Sequence, residues 1–222
     1  MRALALGLLL AVTAVAQEGA PVAADYRLKV TYNRAGLPIP HWQITLPGRG
    51  MGEYVGPPEK GPDPGPIVFR MSAPGKAYLG EMMQRSKGLQ PCETKSKGIA
   101  HMGDKVFEYT PQDGTVQRCA FNFTDNKPLS QALEYVYAMT STLQAGMELE
   151  RLHRYDRLGL DPVMIRLMAD ANDGHAVEFG VIRPTLESLL MDVQVLDRVR
   201  LRAQQLLDMA KQEDAGKIRA AR

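Results

Sequence analysis

Hydrophobic and polar residues alternate without a break over residues 26–33, with Tyr26, Leu28, Val30 and Tyr32 set against Arg27, Lys29, Thr31 and Asn33. A period of two over that length predicts a β-strand with one buried face. Trp42, Ile44 and Leu46 resume the alternation beyond Ala35-Gly36, Pro38 and Pro40, which predicts an antiparallel partner. Ile67, Phe69 and Met71 predict another strand, ended by Ala73-Pro74-Gly75. A short helix is expected over about residues 76–86. Residues 106–109 and 116–124 read as a hairpin around Gln112-Asp113-Gly114, because Asp-Gly supplies the positive φ of a tight turn. On its second strand Cys119, Phe121 and Phe123 share a face. Residues 47–66 hold six prolines and six glycines, a density that predicts a long surface loop.

From Pro128 the period lengthens. Leu133, Val136, Thr140, Leu143 and Met147 step by three and four and form one stripe of an amphipathic helix. Asp125 or Asn126 can cap it, and Pro128 falls in its first turn. Gly159 ends or interrupts this helix. Asp161-Pro162 offers a second start, with Leu160, Met164, Leu167 and Met168 as the apolar face, and Asp173-Gly174 a stop. Residues 178–182 fit strand or helix. Pro184 begins an expected last long helix, in which Leu196, Val199, Ala203, Leu206 and Ala210 keep the helical step. The expected organisation is therefore a β-rich part over 26–127, a helical part over 128–212 and a polar tail over 213–222. Segregated strands and helices predict an α+β fold, an antiparallel sheet packed against the helical half.

The first residues give an address. Arg2 precedes an uncharged run rich in Leu and Ala, and Ala14-Val15-Ala16 offers a signal-peptidase pattern. Residues 1–16 are read as a signal peptide, followed by a disordered stretch over 17–25. The apolar run is shorter than a membrane span of about 20 residues, so no span is expected in the mature chain. A secreted or periplasmic location follows. The formal net charge of +2 argues for neither nucleic acid nor an anionic membrane surface as partner. Cys92 and Cys119 are the only cysteines, and export places them where disulfides persist, so they are expected to bridge.

Motifs for chemistry are sparse. Gly48-Arg49-Gly50-Met51-Gly52 runs into prolines rather than a helix N-terminus and lacks a G-K-[ST] ending, so it is read as loop and not as a phosphate cradle. His175 and Glu178 give H-x-x-E without further ligands at zinc spacing, and no metal or other cofactor is expected. Neither G-x-S-x-G nor S-x-x-K occurs. The densest polar cluster runs from Glu150 to Arg157. Its basic residues suit a helix C-terminus, and Glu150–Arg154 is an i,i+4 pair. As a binding site it would hold an anionic group on His153, Arg154 and Arg157, with Tyr155 as a wall. The pair His153/Arg157 is the sharper expectation, provided the helix runs through Asp156. The reading favoured is an exported, non-catalytic binding, scaffold or assembly factor with a protein as partner. The alternative is a secreted hydrolase assembled from dispersed residues, His153, Asp156 and Glu178 first among them.

Overall fold

A computed structural model describes residues 25–57, 65–95, 98 and 100–216. The expected signal peptide, residues 17–24 of the leading stretch and residues 217–222 of the tail lie outside them. Six strands form one antiparallel sheet: β1 (Arg27–Asn33), β2 (His41–Pro47), β3 (Gly52–Val55), β4 (Ile67–Phe69), β5 (Asp104–Thr110) and β6 (Gln117–Phe121). Their spatial order is β4-β3-β2-β1-β5-β6. The first four strands form a meander. The chain then returns through helix α1 (Ala73–Arg85) and adds the β5–β6 hairpin on the other side of β1.

The alternation in β1 sets the register. Leu28, Val30 and Tyr32 lie opposite Leu46, Ile44 and Trp42 on one side and Tyr109, Phe107 and Lys105 on the other. All of these face the helices and are buried. The opposite face is polar, with Lys29 and Arg118 both paired to Glu108 at 3.8 and 3.4 Å. A one-sided antiparallel sheet produces this split.

Four helices follow: α2 (Lys127–Tyr155), α3 (Leu160–Asp173), α4 (Arg183–Met191) and α5 (Asp197–Asp214). Asn126 caps α2 by accepting from Leu129 N, and Pro128 sits in the first turn. Tyr137 of α2 meets Tyr32 and Trp42 edge-on at 5.5 and 5.8 Å, which lays this helix across the inner face of the sheet. Where α2 passes the 3-10 turn Phe179–Ile182, a Cβ on Gly146 would fall 2.2 Å from Ile182 Cγ2, so only glycine permits the approach. The α5 stripe Val199, Ala203, Leu206 and Ala210 is buried within the chain, against α3, α4 and the 3-10 turn. No helix among the described residues is long and apolar enough to cross a membrane.

Four local readings change. The glycine-rich stretch 47–66 contains β3, because Gly52 makes room for a ring: a Cβ there would lie 2.6 Å from Phe69 Cζ on β4. Ala73-Pro74-Gly75 starts a helix instead of ending a strand, since Ser72 caps α1 and Pro74 belongs to its first turn. α3 begins at Leu160 rather than on an Asp161 cap, and Asp161 instead accepts from Arg198 and Arg202 of α5 at 2.8 and 2.6 Å. The expected last helix is two, α4 and α5. Asp192 breaks it by drawing Gln194 N onto its own carboxylate at 2.8 Å, a local bond that competes with the helical ladder.

Candidate functional site

Cys92 and Cys119 are bonded, with Cα atoms 5.5 Å apart. Cys119 is buried on β6 opposite Phe107, as its phase requires. Phe123 does not keep that phase, for β6 ends at Phe121 and Phe123 is exposed. The bridge pins the segment around Cys92 along β6, where Thr94 N donates to Phe123 O at 2.9 Å. Covering an edge strand in this way removes a site of unwanted pairing.

Much of the polar cluster of α2 is paired within the chain. The helix stops at Tyr155, and Asp156 leaves it with φ −155. His153 Nε2 and Arg157 Nη2 still converge, on the carboxylate of Asp192 at 2.8 and 3.2 Å. Arg157 Nη1 also donates to Gln194 at 2.7 Å. The hydrogen bond from His153, with Gln194 N and Arg157, holds the Asp192 carboxyl below the usual carboxylate range. Arg154 pairs with Glu150. Tyr155 is 79% exposed and walls nothing. These contacts clasp the α2–α3 corner to the α4–α5 link.

Glu178 belongs to a different place. It is 1% exposed and sits in the left-handed region with φ +62, outside any helix, while His175 is exposed. Its Oε2 accepts from Ser72 N at 2.7 Å, and its Oε1 from Ser72 Oγ at 2.7 Å and Tyr135 OH at 2.5 Å. Glu213 of α5 accepts from the backbone N–H groups of Glu178 and Phe179 at 2.7 and 2.8 Å. A Cβ on Gly75 would lie 1.9 Å from Glu178 Oε1, so the first turn of α1 closes over the carboxylate. Burial, and next the neighbouring Glu178, push the Glu213 carboxyl up to about 7. The network joins α1, α2, the 3-10 turn and α5. His153 stands eighteen residues along α2 from Tyr135, about 27 Å at the helical rise. The structure therefore does not assemble His153, Asp156 and Glu178 into one site.

Open volume lies along the sheet side of α2. Three adjoining hollows of about 800, 380 and 320 Å³ run beside this helix. The first two share Pro38, Ile39, Ser141 and Gln144, and the last two share Tyr32 and Tyr137. Ser130, Tyr137, Ser141, Gln144, Glu148 and Arg151 supply the helical wall, spaced by three, four or seven residues on one face. The turn over residues 34–40 and the end of β3 form the facing wall. Gln144 Nε2 donates to the hydroxyl of the buried Tyr54 at 3.0 Å, beside the wide hollow. Trp42 stacks on Tyr32 at 5.4 Å beneath the middle hollow.

The ends of the groove differ in charge. At the wide end Arg166 pairs with Glu148 at 2.7 Å. At the narrow end Lys105 is 4% exposed, in the inward phase of β5 beside Phe107 and Tyr109. Its Nζ donates to Asn122 O at 2.7 Å. Burial pulls its pKa down; the adjacent Asp104 opposes that pull, and the Arg34 guanidinium, the smaller influence, adds to it. Sequence reasoning passed over this lysine, although a signal exists: Lys105, Phe107 and Tyr109 alternate against Val106 and Glu108, which puts a cation in a core phase. Among the described residues no group of three or more His, Cys, Asp or Glu side chains could hold a metal ion. The chain matches no family model, no curated protein and no solved structure.

Proposed function

We propose that this chain is an exported binding protein, secreted or periplasmic, which holds an extended polypeptide segment in the groove along α2. The groove carries the reading. From Ser130 to Arg151 it follows α2 for about 32 Å at the helical rise. That length suits a linear ligand of about ten residues in extended form, rather than a compact one. Its walls alternate hydrogen-bonding side chains, Ser141, Gln144 and Arg151, with apolar ones, Ile39, Ala145 and Met147. A polypeptide needs both kinds, for its backbone and for its side chains. Export is supported by the Ala14-Val15-Ala16 pattern and by the bonded cysteines.

The test is selection of a displayed random peptide library of about ten residues on the mature protein, followed by titration of the recovered peptides. Ala145→Trp fills the wide hollow from a half-buried position on the surface of α2. Recovered peptides should bind this variant at least tenfold more weakly, with an unchanged melting temperature. Failure to recover a saturable binder, or equal binding to Ala145→Trp, overturns the reading.

A further inference from the structure

The narrow end of the groove has features the polypeptide reading leaves unused. Lys105 and Arg34 line a hollow of about 320 Å³ together with the rings of Tyr32, Tyr137 and Phe121. Two like charges are brought together there. Lys105 is buried, yet its hydrogen-bond partner among the described residues is a neutral carbonyl, that of Asn122. Among the described residues neither Lys105 nor Arg34 has a carboxylate within ion-pair distance. Asp104, next in sequence to Lys105, acts on it electrostatically from beyond ion-pair distance and is bonded to His101 Nε2 at 3.0 Å. Glu134 lines the same hollow from α2 without pairing to either cation.

A buried ammonium satisfied by a single neutral acceptor is costly, and structures keep such groups where a counter-charge arrives. Guanidinium and ammonium donors side by side match the two oxygens of a carboxylate, and the guanidinium can hold it bidentately. The aromatic walls select the rest of the ligand, offering ring faces and edges to an apolar or aromatic body. The volume lies at the lower end of small-molecule sites.

We infer that Arg34 and Lys105 form an anchor for a carboxylate borne on an apolar or aromatic body, either a free small acid or the C-terminal residue of a bound polypeptide. The second source rests on the polypeptide reading of the groove; the first does not.

Trp42, the only tryptophan, is the reporter, because it stacks on Tyr32 and meets Tyr137, two walls of the hollow. Trp42 emission is followed while the mature protein is titrated at fixed ionic strength. The free-acid arm uses 4-hydroxyphenylacetate and its neutral amide. The chain-end arm uses a selected peptide ending in Phe, with its C-terminus free or amidated. In at least one arm the acid should give a saturable change, and the amide at least a tenfold weaker one. Arg34→Gln, on a partly exposed turn, and Lys105→Met, which keeps the stem, should each weaken the acid at least tenfold. Ala145→Trp should spare the small acid and weaken only the peptide, so failure of the polypeptide reading remains distinguishable. Equal binding of acid and amide, no saturable change in either arm, or acid binding unaffected by Arg34→Gln and Lys105→Met overturns the inference.

Discussion

Glu178 and Lys105 are charged side chains buried to nearly the same degree, at 1% and 4% exposure, and the fold treats them in opposite ways. The glutamate has a complete shell. Both oxygens accept, from a backbone N–H, a serine hydroxyl and a tyrosine hydroxyl, and Gly75 lets α1 close over them. The lysine has one carbonyl, an arginine for a neighbour and a cavity at its side. A satisfied buried charge is a joint between elements. One held by a single neutral carbonyl beside open volume leaves room for a counter-charge. The His153–Asp192–Arg157 clasp falls between the two, a part-exposed joint at a helix terminus where the sequence also allowed a binding site.

The largest effect that separates the two regions is expected from Glu178→Ala. It orphans Ser72 N and Oγ together with Tyr135 OH, and should cost about 4 kcal/mol in a denaturant melt. A cost under about 1 kcal/mol would show that the network is not a joint.

The pH dependence of stability comes next. Glu213 has a folded pKa raised to about 7 from 4.5, so the folded state holds its proton more tightly than the unfolded chain. Its contribution is complete below pH 4.5 and is lost as the pH rises through 7. Glu178 and Asp214 both disfavour its charge, while the N–H groups of Glu178 and Phe179 oppose them. The melting temperature should fall by several degrees across that window, and Glu213→Gln should flatten the slope. An unchanged slope in the variant would remove Glu213 from the account.

Lys105→Met should shift stability the other way. Removing a poorly paired buried ammonium while keeping its stem should raise stability by about 1 kcal/mol. A loss of 2 kcal/mol or more on chemical denaturation would mean that the carbonyl of Asn122 satisfies the lysine and that the comparison fails.

The smallest effect belongs to the clasp. His153→Ala should lower stability by about 0.5–1 kcal/mol and leave binding to the α2 groove untouched. Loss of peptide binding in this variant would move the site back to the α2–α3 corner.

Most of the fold is legible along the chain, because it rests on local rules. The alternation in β1, the Asp-Gly turn of the hairpin, the Asn126 cap and the stop at Gly174 are each settled within a few residues. Some misreadings come from a partner distant in sequence, others from a local bond. Gly52 looks like loop until Phe69 is laid across it. Ala73-Pro74-Gly75 looks like a stop until Ser72 is seen capping the turn and Glu178 fills the space above Gly75. Asp192 looks like one helical residue among others until its carboxylate is seen drawing in Gln194 N and meeting His153 and Arg157 from another corner.

The sequence by itself determined which residues face inward, since periodicity in a strand or helix is a property of neighbours, and it determined the α+β class. It also determined the pairing of the cysteines, the only two in a chain read as exported. Only the tertiary structure decided which charges neutralise one another. In the sequence Glu178 and His153 are equivalent candidates. Folding places one under α1 and the other against Asp192, because charges act through space over a few ångströms and take no account of separation along the chain. The same rule leaves Arg34 and Lys105 together, 71 residues apart in the chain and both without a carboxylate within ion-pair distance among the described residues.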